Sequence, residues 1–526
     1  MNRQQRRKAA RLVNKARDRG RAATAPVSAD AVAEELGAAF ELHRTGKLQE
    51  AASLYGRILD RDPNHADATH GMGLIAYQTG QSDKAVDLLR AALALEPDQA
   101  EWHCDMGVVL ADRGELDAVV KCYERALAIR PNYQSALKNL GFALQTQGKL
   151  DDAAKVYHHA LAMNPKSAVV HNNLGNLLRC QGLMEDATAC FRRALEAEPN
   201  FPDAHSNLGN MLKEQGRLEQ AAASYRRALE IDPRHVNAHN NLGNSLKSQG
   251  KVEAAAACYR RAIAIDPDRA PAYCNWAELA LSQGRKDQAI SLLRRAVERD
   301  PSSGQAAHFL AAVTDEATKS APGDYVKALF DQYSGRFDDH LHKLEYRAPA
   351  LLGALFLESV ETGRKFDTVI DLGCGTGSAG REFRDLAKCL HGVDLSPGMI
   401  AEARKKGLYD RLEVSGIEEF LAKTGTGYDL FVASDVFIYI GDLAPIFGSV
   451  RKAANARAYF VFSTEKSAGE SYALTATGRF THPTAYVERL ARQTGFEAIA
   501  NQTAVIRMQA QNPVIGDLFV LRLGAA

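Results

Sequence analysis

The sequence predicts two architectures in series: an all-α superhelix of repeated helix pairs, then an α/β domain with helices on both faces of a parallel sheet. Three observations carry this reading. Prolines recur at Pro63, Pro97, Pro131, Pro165, Pro199, Pro233, Pro267 and Pro301, every interval being 34 residues. In the C-terminal part, short apolar runs alternate with helical stretches, the pattern of a sheet whose strands are joined by crossover helices. One of those runs ends in Val369-Ile370-Asp371-Leu372-Gly373-Cys374-Gly375-Thr376-Gly377, whose alternate glycines let a turn pass close beneath a ligand because they carry no Cβ.

Length and composition set the bounds. A chain of 526 residues would ordinarily hold about three or four domains, but repeats lower that to two. Hydrophobic content of 46% and charged content of 25% supply ample core, and no apolar run approaches the roughly 18 residues that span a membrane. Eight cysteines are scattered without a C-x-x-C pair, which fits a reducing compartment. Cys374 reads as a small side chain that fits the glycine turn rather than as a nucleophile.

Residues 1–29 form a basic tail. Nine basic residues between Arg3 and Arg21 stand against Asp18 alone, so this segment carries +8 and the remainder −7. No apolar core of a secretory signal follows, and a cytoplasmic location is expected. Phosphates of nucleic acid or an anionic membrane are conceivable partners, but no aromatic residues are interleaved for base stacking. A solvated, partly helical extension is the simpler reading.

Residues 30–319 form the repeat array. Turn glycines Gly46, Gly80, Gly114, Gly148, Gly182, Gly216, Gly250 and Gly284 keep the proline period, as do the small residues Gly73, Gly107, Gly141, Gly175, Gly209, Gly243, Ala277 and Ala311. Small residues let paired helices approach, and the proline ends one helix before the next repeat begins. With three classes of position in phase over eight units, the pattern resembles the tetratricopeptide repeat. That resemblance implies a right-handed superhelix with a concave groove and a capping helix near residues 305–319.

His103, His171, His205 and His239 occupy one repeat position and are read as packing residues between helices, not metal ligands; no metal is expected. Asn139, Asn173, Asn207, Asn241 and Asn275 recur on the first helix of five repeats, with Asn176, Asn210 and Asn244 in a second row. Their arrangement resembles the asparagine ladder of the repeat domain in O-linked N-acetylglucosamine transferases, which implies that the groove binds a protein or peptide through its backbone. The competing reading is a consensus solvated face. That family's catalytic domain is absent, so only peptide binding carries over.

After a joint at residues 320–323, the final domain covers residues 324–526. Two cofactor types compete for its glycine turn. Gly375, Gly377 and Gly380 satisfy G-x-G-x-x-G, and Asp394 lies 19 residues beyond Gly375, close to dinucleotide-binding spacing. Asp371 decides between them: a carboxylate at that strand tip would face an anionic pyrophosphate on one reading, and the ammonium and sulfonium of S-adenosylmethionine on the other. The stretch therefore resembles the class I S-adenosylmethionine-dependent methyltransferases, of Rossmann-like fold, over about Asp324 to Leu523. Later strands fall in order at residues 412–414, 428–436 and 458–465, with a terminal pair opened by Gly495-Phe496-Glu497.

The resemblance implies cofactor contacts from Asp371, Gly373, Gly375, Gly377, Asp394, Leu395, Met399 and Ile417, with Asp394 on the ribose hydroxyls and Met399 against the adenine. An acidic residue commonly follows the third strand in this family; Val414-Ser415-Gly416-Ile417 lacks one. Tyr333 and Phe337 belong to a segment resembling a helical lid, although aromatic residues at that spacing also suit simple packing. Asp435, Tyr439 and His482 are the candidate catalytic residues, with Asp435 and Tyr439 beyond the fourth strand. Tyr472, Arg479 and Arg507 are candidate substrate contacts. Arginine suits a carboxylate acceptor, and a protein recruited by the repeats is the other acceptor class. Two rival functions stay open: an adaptor whose methyltransferase-like domain senses cofactor or has lost activity, and a nicotinamide-dependent oxidoreductase.

Overall fold

In the computed structural model the described residues are 29–526, except 315, 317, 362, 426, 510–511 and 525–526, so the basic tail lies outside them. Two compact units are distinguished: residues up to Leu177 with Ala189–Pro199, and Leu178–Thr188 with the chain from Asn200 onward.

The first unit consists of antiparallel helix pairs, beginning with Ala29–Arg44 and Leu48–Arg61, then Ala66–Gln78 and Ser82–Leu95. Each pair turns at a glycine in the left-handed region, as at Gly80 with φ 77° and Gly114 with φ 73°. The small residue on the first helix faces a large side chain of its partner, Leu89 for Gly73 and an aromatic ring for Gly107, Gly141 and Gly175. A Cβ on Gly107 would lie 2.6 Å from the Tyr123 ring and one on Gly175 2.6 Å from the Phe191 ring, which explains why the period demands glycine there. The repeat histidines do structural work. His103 and His171 each donate from Nε2 to the carbonyl of the proline six residues earlier, Pro97 at 2.8 Å and Pro165 at 2.9 Å.

The second unit continues the pattern through Pro202–Glu214 and Leu218–Ile231, Val236–Ser248 and Val252–Ile265, and Ala270–Ser282 and Lys286–Arg299, and ends it with the single helix Gly304–Thr314. His239 repeats the proline contact at 3.1 Å to Pro233. The helices Gly323–Tyr333, Phe337–Lys343 and Ala348–Ser359 then lead into a seven-stranded sheet. Its strands are β1 (Phe366–Leu372), β2 (Ala387–Asp394), β3 (Arg411–Val414), β4 (Tyr428–Ala433), β5 (Ala454–Glu465), β8 (Phe496–Gln509) and β9 (Asn512–Leu523). They lie in the order β3-β2-β1-β4-β5-β9-β8. Strands β1 to β5 are mutually parallel, and β9 runs antiparallel to both of its neighbours. A separate hairpin pairs β6 (Ala473–Leu474) with β7 (Phe480–Thr481).

Alternate side chains of each strand feed two cores. Ile370, Phe431, Phe460 and Phe519 pack on one face with Phe447 and Phe496, while Val369, Leu430, Val461 and Leu518 pack on the other with Phe356 and Phe383. Strand order reverses between β1 and β4, and there the loops part to leave a crevice at the carboxyl ends of the strands. The fourth strand stops at Ala433, short of the expected Val436, because Asp435 adopts φ 57° and turns the chain away from the ladder.

Candidate active site

A cavity of about 670 Å³ fills that crevice. Its floor is the loop after β1, where Gly373, Gly375 and Gly377 all have positive φ (71°, 52° and 95°). The turn is tight: a Cβ on Gly373 would meet Val436 at 2.6 Å, and the amides of Gly373 and Cys374 both donate to the carbonyl of Val393. Asp394, at the tip of β2, stands on the wall. Its Oδ2 accepts from the Gly375 amide at 2.9 Å and its Oδ1 from the Ser396 amide at 2.8 Å. Leu395 and Ile417 line the same end.

Asp371 sits beneath the turn, 1% exposed and off the cavity wall. Tyr409 donates its hydroxyl to Oδ2 at 2.7 Å, and Oδ1 has no partner. Burial, reinforced by the Asp394 charge, pushes the Asp371 carboxyl up to about 7, against the hydrogen bond from Tyr409. Lying beneath the turn and off the wall, this carboxyl acts on a ligand in the cavity through its charge across the glycine loop, not by contact. These residues fit a ligand with a hydroxyl pair at Asp394 and positive charge near Asp371, as S-adenosylmethionine has.

The roof is a segment of two helices, Gly323–Tyr333 and Phe337–Lys343. Val326, Leu329, Phe330, Phe337 and Leu341 face the cavity from it, and the side chain of Tyr333 lies outside those described. Two aspartates fasten the segment. Asp331 Oδ1 accepts from the Ser396 hydroxyl at 2.5 Å and the Gly398 amide at 3.2 Å, and Asp338 takes the Thr376 hydroxyl on Oδ1 and pairs with Lys406 on Oδ2 at 2.5 Å.

At the opposite end, Asp435, Tyr439, Arg479 and Arg507 come together on the wall. Arg507 is 2% exposed and donates from Nη1 to both oxygens of Asp435, at 2.6 and 2.5 Å, while its Nη2 pairs with Glu465. Its guanidinium is therefore consumed by its own chain, which corrects the expectation that Arg507 is available to an acceptor. Arg479 donates to Gln509 Oε1 at 2.6 Å and lies 3.6 Å from Glu465. Burial pushes the Tyr439 phenol up to about 12, so it stays protonated and acts as a donor rather than a base.

Three other expected site residues lie elsewhere. His482 is fully buried, off the wall, donating from Nε2 to the Gly441 carbonyl at 3.0 Å; burial lowers its pKa to about 4. Tyr472 packs against Phe480, His482 and Tyr486 instead of the cavity. Met399 is wholly buried on the inner side of the helix Pro397–Lys405, away from the cavity, because that helix turns its apolar positions Met399, Ile400 and Ala403 inward.

Sequence reasoning missed several wall residues. Glu418 and Glu419 supply acidic groups just past the position where none was found; they open the helix Ile417–Lys423. Tyr346, whose hydroxyl meets Ser434 Oγ at 2.9 Å, and His340 also line the cavity, without any local sequence signal. Burial, then the charges of Lys343 and Arg479, lower the His340 pKa.

In the repeats, the five ladder asparagines are each half-buried on the first helix of their pair. Asn241 donates to Asn210 at 3.0 Å and Asn275 to Asn240 at 2.9 Å. Asn210 and Asn244 accept from the hydroxyls of Tyr225 and Tyr259, so much of the second row serves packing between helices.

Comparison with known proteins matches these parts separately. Family profiles described as tetratricopeptide repeats match residues 42–103, 144–211, 240–304 and 274–334, and a TPR repeat profile matches 109–148 and 209–250. A methyltransferase domain profile matches residues 370–460. Human methyltransferase-like protein 27 is 35% identical over 87 residues, 16% of this chain and 36% of that protein. The malonyl-[acyl-carrier protein] O-methyltransferase of Salmonella typhimurium is 25% identical over 139 residues, 26% of this chain and 53% of its own. Aklanonic acid methyltransferase DauC of Streptomyces is 30% identical over 124 residues, 22% of this chain and 54% of its own. The chain thus spans between about a third and about a half of these relatives. Eight helix pairs followed by a seven-stranded sheet with its glycine turn, matched in turn by these profiles, identify the chain as a tetratricopeptide-repeat protein that carries a methyltransferase domain.

Proposed function

We propose that this domain transfers a methyl group from S-adenosylmethionine to a small carboxylate-bearing acceptor, and that the repeats bind a protein or peptide partner. The observation that carries the cofactor reading is Asp394, a carboxylate held on the cavity wall by two main-chain amides with its remaining lone pairs open to a diol. Gly373 and Gly375 give close approach, whereas Gly377, expected beside them, lies off the wall and makes room for Tyr409; Asp371 supplies negative charge beneath, and Leu395, Ile417 and Glu418 border the far end. When bound, S-adenosylmethionine supplies a methyl group on a sulfonium whose thioether leaves without protonation.

What the chain contributes is orientation and dryness. The roof segment covers the cavity with Phe330 and Phe337, and the wall holds an acceptor in line, an effect worth roughly 7 to 11 kcal/mol of barrier when alignment is complete. A carboxylate is already a nucleophile and needs no base, so no proton has to pass to the groups on the wall, the His340 imidazole or the protonated Tyr439 phenol. Arg479 is the cation with donors to spare for orienting it: a quarter exposed, it gives Nη1 to Gln509 and lies 3.6 Å from Glu465, whereas Arg507, 2% exposed, engages Asp435 and Glu465 with both terminal nitrogens. Two relatives are named for acidic substrates, a malonyl group and aklanonic acid, in the same sense.

The test is calorimetric titration of S-adenosylmethionine and S-adenosylhomocysteine into the full chain and Asp394→Ala, followed by labelled methyl transfer in cell extract. Affinity lost in Asp394→Ala, with label in a small acid, supports the proposal. Label in macromolecules would move the acceptor to a protein recruited by the repeats. Binding without transfer would favour the adaptor, and displacement by a nicotinamide cofactor would overturn the cofactor assignment.

A further inference from the structure

We infer that the last helix of the repeat array is a positioning element of the catalytic cleft, with His308 bracing the hairpin that presents Arg479. The inference rests on Arg479 being the acceptor-facing cation.

His308 lies on the helix Gly304–Thr314 and is 2% exposed. Its Nε2 donates to the carbonyl of Gly478 at 2.8 Å, across 170 residues of sequence. The ring is enclosed by Phe309, Tyr325 and Phe480, with centroids 6.2, 5.6 and 6.1 Å away. Its Nδ1 is buried without a partner, so only the neutral Nε2–H form satisfies the site; a second N–H would be stranded among apolar rings.

The bonded carbonyl belongs to the tip of the β6–β7 hairpin. Gly478 has φ 75° and donates to Thr475 at 2.9 Å, while Thr475 donates its amide to the Arg479 carbonyl at 2.8 Å and its hydroxyl to the same oxygen at 3.0 Å. Arg479 is the next residue, and it reaches the cavity wall. Fixing the Gly478 carbonyl therefore fixes the main chain from which Arg479 departs.

A second brace lies just beyond that helix. The Lys319 carbonyl accepts from the amides of Gly441 and Asp442, at 2.8 and 2.9 Å, and the Ala321 amide donates to the Tyr439 carbonyl at 2.9 Å. Ser320 and Ala321 themselves line the cavity. Both wall segments at the acceptor end, the hairpin of Arg479 and the loop of Tyr439, are thus held by the chain that closes the array. The stretch taken from sequence as a joint is part of the pocket.

The experiment uses the full chain with His308→Ala, His308→Gln and Gly478→Ala, the last straining the hairpin tip from the opposite side through its positive φ. Three quantities are read: the rate of Arg479 modification by phenylglyoxal, hydrogen exchange over residues 473–481, and affinity for S-adenosylhomocysteine. His308→Ala should raise Arg479 modification and local exchange roughly five- to tenfold, the change expected from losing one neutral hydrogen bond. Glutamine, which can donate from a similar place, should restore both, and Gly478→Ala should reproduce the loss. S-adenosylhomocysteine affinity should stay within about twofold, since no bracing contact touches the glycine turn. Unchanged rates in His308→Ala, or a uniform rise in exchange across the chain, would overturn the inference; should His308→Ala fail to fold, the glutamine and Gly478→Ala pair decide it alone. If the wild type does not bind S-adenosylhomocysteine, the proposed function fails while the Arg479 rates still report on the brace.

Discussion

Asp371→Asn should make the ligand-free protein more stable at pH 8 while weakening cofactor binding. The wild-type carboxyl is pushed from 3.8 up to about 7, chiefly by burial. Because the folded-state value is raised, the native chain holds its proton more tightly than the unfolded chain does. The stability this confers is complete below about pH 4 and is lost as pH rises through about 7. Three pKa units correspond to about 4 kcal/mol, so by pH 8 the ionised carboxylate weighs on the native state by about 2 to 4 kcal/mol. Asparagine removes that titration and retains an oxygen for the Tyr409 hydroxyl. Thermal melts from pH 4.5 to 8 should show the variant gaining on the wild type as pH rises. Its affinity for S-adenosylmethionine should drop by roughly ten- to a hundredfold, the loss of a carboxylate charge beneath the ligand's cation. A stability difference that is flat across this pH range would refute the assignment of the raised value to Asp371.

Arg507→Ala strands the half-buried Asp435 and leaves Glu465 with Arg479 alone, and should destabilise the domain by about 3 to 5 kcal/mol in denaturant unfolding. Gly209→Ala places a Cβ 2.7 Å from the Tyr225 ring, and overpacking of this kind should lower repeat stability by about 1 to 3 kcal/mol, read from the helical circular dichroism melt. Asp338→Asn loosens the roof at Lys406 and Thr376 and should speed S-adenosylhomocysteine release by roughly two- to fivefold in stopped flow. Lys406 and Thr376 hold the Asp338 carboxyl below its usual range despite burial, so its contribution is present above the ordinary Asp range and is lost as pH falls through that lowered value.

How much of this was legible in the sequence depends on how far apart the interacting residues are. Gly107 and Tyr123 are 16 residues apart in every sense that matters, since both repeat with the same period, so the demand for a small residue could be read directly. The contact of His103, His171 and His239 with a proline six residues earlier follows from the same local geometry. Asp371 and Asp394 were marked by their positions at strand tips, which alternation of apolar runs locates well. Met399 was misplaced because a helix start gives the residues at its cap but not the rotation of its buried face. His482 and Tyr472 were assigned to the cavity by their chemistry and by resemblance, while the hairpin they flank turns His482 into the core and packs Tyr472 on Phe480 and Tyr486.

By itself, the sequence determined the 34-residue repeat, the parallel sheet, the glycine turn and the two carboxylates beside it. Each rests on a periodicity or a strand end, interactions within one turn or one strand that local stereochemistry dictates. Only the tertiary structure decided that Arg507 is spent on Asp435 and Glu465, 72 and 42 residues away, that Glu418 borders the cavity, and that His308 reaches Gly478. Those are choices of partner for buried polar groups, made by whatever the folded chain brings within hydrogen-bond distance, and no spacing in the sequence encodes them.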